Sequence, residues 1–439
     1  MNKRRIVVSR RRSTRLLLAF SAILTVFAVL IFAPRYSFVA QVSSMDQQSL
    51  PNNLPHPNPG GKAATFSTEG EVNLTGEYFQ AQGTNGRSCV SCHIPEEAWS
   101  INPGTLQDLF DQTGGTHPVF NTLDANNPEM DVSTPAAKLA AYSMLLSRGV
   151  FRRGGPPRPN SEWELIAVED PHGWANLGRL VHWRRVMPTI NFKQGSTTVN
   201  WDGGNSVASG QEDGLKNQAA RNITGAQQGP PAPPEVIADI VRFERSLSTA
   251  QLIVPGVGRL DSDGARGGPE ELSKMPGTPE VGGRFDLFDA WINHSNPRRA
   301  QIARGQEIFN AKRNANNRTC NGCHNSPNNG TNVGNALFDI QTASVDARPD
   351  DFPLYVFRNR TTGEIRQLTD AGRGNITGLW SDLGRFKTPT LRALSARAPY
   401  FHNGIAPTLT DVVLHYEKHL GFALTDQERA DLVAFLNAL

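Results

Sequence analysis

Apolar residues recur at helical spacing in several stretches and scarcely alternate anywhere, so the pattern predicts helices joined by long turn-rich connections. In Pro234 to Leu247, Val236, Ile237, Ile240, Val241 and Phe243 fall on one helical stripe. The stretch PRRAQIARGQEIFNA from Pro297 predicts another helix, and Leu409, Val412, Val413, Tyr416 and Leu420 share one face of a third. Thr425 and Glu428 form a capping-box pair in front of a terminal helix whose Leu432, Phe435, Leu436 and Leu439 face inward. Strand signals are few and no repeat is visible, so the fold class expected is mainly α with long loops.

Punctuation divides the chain. Residues 1–40 read as a signal peptide or signal anchor, because the basic MNKRRIVVSRRRSTR segment precedes the uncharged, strongly apolar run Leu16 to Ala33. Residues 41–74 are polar and rich in Pro, Asn and Gly and read as a flexible linker. A first unit follows over 75–255, a Gly- and Pro-dense connector over 256–295, and a second unit over 296–439. The formal net charge of +3 comes from the N-terminus, leaving a slightly acidic remainder, so charge implies no nucleic-acid partner.

The chemistry sits in two short motifs. Cys89-Val-Ser-Cys92-His93 and Cys320-Asn-Gly-Cys323-His324 use all 4 cysteines, leaving none for a structural disulfide in a chain that looks exported. Cys, Cys and His at i, i+3 and i+4 lie on one helical face, where two thioether bonds and one axial imidazole meet a flat macrocycle. The competing reading, a four-cysteine zinc site, requires pairs much closer in sequence and does not explain a histidine after each pair. Two covalent haem c groups, each with its iron, are therefore the expected cofactors, attached at Cys89 and Cys92 with His93 as ligand, and at Cys320 and Cys323 with His324.

With Trp201-Asp202-Gly203, Phe386-Lys-Thr-Pro-Thr-Leu-Arg392 and Pro399-Tyr-Phe-His-Asn-Gly404, these motifs resemble the bacterial dihaem cytochrome c peroxidase and MauG-like family over about residues 75 to 439. The resemblance implies two cytochrome c-like domains, a reactive N-terminal haem and an electron-transferring C-terminal haem. It places a sixth iron ligand at Tyr416; the alternative is that Tyr416 is a core aromatic and that His415, His419 or no residue is the ligand. A tyrosine there favours the ferric state. It places Trp201 and Gln218 on the open face of the first haem, and Gln228 where the family keeps a catalytic glutamate. An amide orients peroxide but cannot shuttle its proton, leaving Glu212, Asp213 and Glu235 as substitutes. Arg385 and Arg392 are candidates for haem carboxylates, and either His172 or His182 for a displaceable ligand. Calcium is uncertain, since Val186 replaces the family's asparagine.

The activity implied is reduction of hydrogen peroxide with electrons from a redox protein or from side chains of a partner protein. The location implied is periplasmic, either soluble after signal cleavage or held at the inner membrane by the N-terminal segment. The alternatives are an electron-transfer dihaem cytochrome without its own substrate, and a dioxygenase resembling the rubber oxygenases, which the long stretch from Ile94 to Leu180 supports.

Overall fold

Helices form where periodicity and caps agree. In the computed structural model, which describes residues 48–194, 197–277 and 282–439, the predicted helices span Pro234–Ser246, Pro297–Ala311, Leu409–Leu420 and Asp426–Asn437. Thr425 accepts from the Glu428 amide and Glu428 reaches back, completing the expected capping box. Thr408 and Asp411 do the same for the Leu409–Leu420 helix. The signal segment 1–40 lies outside the described residues. Among the described residues no helix is long and apolar enough to cross a membrane.

The mainly α expectation is corrected, because the described residues mix helices with 13 strands in five small antiparallel sheets. Leu180–Arg185 pairs with Val150–Gly155, and Leu354–Asn359 lies between Trp163–Glu169 and Ile365–Leu368. Leu180–Arg185 is buried along its whole length, and half of it is His182, Arg184 and Arg185. Buried charge on both faces erases the period-two signal from which a strand is read.

The stretch expected as a flexible linker differs too. Its described part forms strands at Ser49–Pro51, His56–Asn58, Gly61–Ser67 and Glu71–Asn73, and Gly61–Ser67 pairs with the distant Leu247–Val254. A partner so remote in sequence leaves no local trace. Within the expected connector, Phe285, Leu287, Phe288 and Trp291 are buried in an aromatic core with Phe309 and Phe435. A second core gathers Tyr78, Trp99, Ile240 and Phe243, and a third Trp163, Tyr355, Phe357 and Phe386.

The Pro297–Ala311 and Asp426–Asn437 helices cross in backbone contact at Gly305, where a Cβ would collide with the Asp431 carbonyl and with Phe435 Cβ. This crossing supports the cavity wall that carries Leu432 and Leu436. Gly305→Ala is expected to cost about 1–3 kcal/mol in chemical denaturation, the usual penalty for overpacking. Gly155→Ala, with open space around its Cβ, is expected to change stability by less than about 0.5 kcal/mol.

Candidate functional site

Each motif closes on its own cavity. Cys89–Ser91 forms a 3₁₀ turn capped by Ser88, and Cys320–Cys323 a single α-turn capped by Thr319. The histidine amide then bonds back to the first cysteine carbonyl, His93 at 3.1 Å and His324 at 3.0 Å. Cys89, Cys92 and His93 line a cavity of about 470 Å³, and Cys320, Cys323 and His324 line one of about 240 Å³. Among the described residues no three Cys, His, Asp or Glu side chains gather to hold a metal ion. With the pairs in different cavities, the four-cysteine zinc reading has no geometry to support it.

Both imidazoles are held alike. His93 Nδ1–H donates to the Trp99 carbonyl at 3.0 Å, and His324 Nδ1–H to the Gly330 carbonyl at 2.6 Å. A carbonyl only accepts, so Nδ1 carries the proton in each ring and the Nε2 lone pair is left for an iron atom. Burial lowers both histidines to about 4, which keeps them neutral and ready to ligate. Gly330 holds its carbonyl in place with φ +73°, and a Cβ there would meet Leu391 at 2.6 Å.

Leu409, Val412, Val413, Tyr416 and Leu420, the face read from the sequence, all line the second cavity, while His415 and His419 do not. His415 instead bonds the Ile340 carbonyl at 2.8 Å, and His419 lies 3.3 Å from Gln341 Oε1. Burial raises the Tyr416 phenol well above its ordinary value. Trp201 lines both cavities, its indole N–H donating to the Arg185 carbonyl at 2.9 Å. Val186, where the resemblance expects a calcium-binding asparagine, also lines both with an aliphatic side chain.

Gln218 faces the first cavity from the Gln211–Thr224 helix. The placement of Gln228 is corrected: it is exposed, has φ +55°, and lies off the cavity, whereas the buried Gln227 lines it. The left-handed turn after the helix exchanges the two neighbours. Glu212, Asp213 and Glu235 are exposed and line neither cavity, and Glu212 pairs with Lys216 at 2.8 Å. His172 packs 6.1 Å from Trp183 away from both cavities, while His182 lines the first. Arg385 is spent on the Ser381 and Leu337 carbonyls.

Cations supply the strongest fit test for a group with carboxylates. Arg185 and Lys387 line both cavities and Arg397 the second, and none makes an ion pair among the described residues. Arg185 donates only to carbonyls, including Gly149 at 3.0 Å, and Arg392 is fully buried with Nη1 unpartnered. Burial lowers Arg185 to about 10, Lys387 to about 8 and Arg392 to about 9. Cations so placed are costly unless an anion joins them, and the two carboxylates of a haem are anions of the right kind.

Sequence reasoning missed Glu244 on the Pro234–Ser246 helix. Its carboxyl is 2% exposed, lines the first cavity, and has Oε2 without a partner. One face of an amphipathic helix was read as core, and a single acid within that stripe carried no separate signal.

No family model matches the chain, but named proteins resemble it in sequence. Over 173 residues the chain is 30% identical to the cytochrome-c peroxidase IdrP1 of Pseudomonas sp. (strain SCT), covering 35% of this chain and 43% of that protein. It is 32% identical over 154 residues to the cytochrome c peroxidase Ccp of Escherichia coli (strain K12), 35% of this chain and 28% of that one. With the methylamine utilization protein MauG of Methylorubrum extorquens it shares 27% identity over 272 residues, 58% of this chain and 64% of the other. A MauG-like protein associated with microbial copper homeostasis is a structural neighbour at 17% identity and TM-score 0.42, covering 90% of this chain and 94% of the other. The chain is thus related to the MauG-like cytochrome c peroxidase family. It spans less than half the length of the peroxidases cited.

Burial raises the Glu244 carboxyl from 4.5 to about 8. An acid raised on folding is destabilising when ionised, so its penalty begins above the unfolded value of 4.5 and is complete above about 8. Glu244→Gln in the haem-loaded protein is expected to match the parent in stability below pH 4.5 and to exceed it increasingly up to about pH 8. Thermal unfolding across that range checks the sign.

Proposed function

We propose that this chain is an exported dihaem c-type oxidoreductase that reduces hydrogen peroxide, with the first haem in the 75–255 unit and the second in the 296–439 unit. The observation that carries the reading is the pairing of two thiols with a tautomer-fixed imidazole in each of two cavities that share Trp201 as a wall. A haem in each cavity supplies one-electron chemistry at its iron. Cys89 and Cys92 would hold the first and Cys320 and Cys323 the second, with His93 and His324 offering Nε2 to the two irons.

The two cavities differ in what their walls can do. The first is the larger, and Gln218, Gln227 and Asn222 offer amides that hydrogen-bond a small oxygen compound without exchanging protons with it. The second is smaller and mostly walled by aliphatic and aromatic side chains, with Tyr416 as the candidate second axial donor. Trp201 is the aromatic group through which an electron passes from the second cavity to the first. The donor in this reading is a small redox protein or an oxidisable side chain of a partner protein. The basic and apolar N-terminus supports a periplasmic location, with or without retention at the inner membrane.

Electron paramagnetic resonance of the oxidised, haem-loaded protein tests the reading. A high-spin ferric signal lost promptly on adding one equivalent of hydrogen peroxide is the expected result. Two low-spin signals indifferent to peroxide would leave an electron-transfer cytochrome in its place. Tyr416→Met is expected to raise the midpoint potential of the second haem, since a thioether favours the ferrous state and a phenolate the ferric. Spectroelectrochemical titration of parent and variant reads the shift, and equal potentials would remove Tyr416 from the coordination sphere.

A further inference from the structure

Between the two cavities lies a buried polar cluster that neither the attachment motifs nor the peroxide chemistry uses. Asp370 accepts from Arg184 Nε at 2.7 Å and Nη2 at 2.9 Å, and from the Gly372 amide at 2.7 Å. Arg184 Nη1 donates to Asp202 at 2.5 Å. On one side of the Asp370 carboxylate, His182 Nδ1 stands 3.2 Å from Oδ1, and neither nitrogen of that ring has a hydrogen-bond partner. On the other, His402 Nε2 stands 3.8 Å from Oδ2 and has no hydrogen-bond partner.

His182, Asp370 and His402 are 3%, 2% and 3% exposed. His182 lines the first cavity and His402 the second. His402 stacks on Phe386 with centroids 3.8 Å apart and lies 6.3 Å from the Trp201 ring, and its Nδ1 is 3.3 Å from Thr342 Oγ1. One carboxylate thus lies between two imidazoles, 3.2 Å from one and 3.8 Å from the other, each facing a different cavity, beside the indole that both cavities share.

The charges leave room for one proton. Two carboxylates, Asp202 and Asp370, face one guanidinium, Arg184, with the Tyr355 phenol also close to Asp370. The unpaired Arg185 and Lys387 also line both cavities, where the carboxylates of the haems would offset them. Burial keeps both histidines neutral, His402 lowered to about 3. Adding an electron to a group in a neighbouring buried cavity raises the cost of that uncompensated negative charge, because interior charges are weakly screened. A neutral imidazole beside a carboxylate is the group best placed to take up a proton in response.

We propose that His182, Asp370 and His402 form a proton relay coupled to electron passage between the cavities. For each electron that the second cavity would accept, His402 would take up one proton. When that electron leaves past Trp201, the proton passes across Asp370 to His182 and enters the first cavity. Reduction of one hydrogen peroxide to two waters consumes two electrons and two protons, so two such transfers balance the reaction. The relay supplies the proton path that the amides of Gln218 and Gln227 cannot. It rests on the reading that each cavity holds a haem.

The test is a redox titration of the second haem in the dihaem protein, followed by absorbance between about pH 5 and pH 8. In the parent the midpoint potential is expected to fall by about 59 mV for each tenfold drop in proton concentration, one proton per electron. His402→Gln is expected to flatten that slope while leaving the ferric spectrum of the second haem unchanged. Should loss of the Phe386 stack unfold that variant, His402→Phe, which keeps an aromatic ring against Phe386 and cannot take a proton, is expected to flatten the slope likewise. A flat profile in a parent carrying both haems overturns the relay alone, as does a slope that persists in the folded variants. A protein that binds no haem overturns the underlying reading and the relay with it.

Discussion

Arg184 donates to Asp370 through Nε and Nη2 and to Asp202 through Nη1, with its side chain almost wholly buried. It thereby ties together three segments far apart in the chain: the Leu180–Arg185 strand, the turn after Trp201, and the segment following Ile365–Leu368. These segments supply walls to both cavities. Burying a guanidinium and two carboxylates is costly, and the bidentate geometry is what offsets it; removing one partner from such a group costs on the order of 3–5 kcal/mol. The position of Trp201, and with it the division of the interior into two cavities, depends on this network.

Around the network the charge balance is uneven in a consistent way. Carboxylates near Arg184 are matched by hydrogen bonds, whereas Arg185, Lys387, Arg392 and Arg397 are placed at or near the cavities with only neutral acceptors. Buried cations left with neutral acceptors suit anionic guests. The same economy appears at the histidines, where the Trp99 and Gly330 carbonyls set each tautomer, and strained or glycine-dependent backbone sets each carbonyl.

Much of the site was legible because it is local. A Cys-Xaa-Xaa-Cys-His motif places its three donors within one helical turn, so its geometry is written in consecutive residues, and the five-residue stripe ending at Leu420 follows from helical periodicity alone. Gln228 shows the limit of counting: ten residues after Gln218 the helix has ended, and a left-handed residue turns the expected side chain outward while Gln227 takes the inner place. Glu244 and His402 were visible as letters but not as participants, since their burial depends on what packs over them.

The sequence by itself determined the two attachment motifs, the capped helices that carry Tyr416 and the terminal core, and the kinship with dihaem peroxidases, because these rest on short-range spacing. Only the tertiary structure decided that four strands lie within residues 48–74, that buried Arg184 joins two aspartates, and that His182 and His402 lie on either side of one carboxylate. Those features pair residues far apart along the chain, and the free energy that selects them comes from burial and ion pairing that no local pattern records.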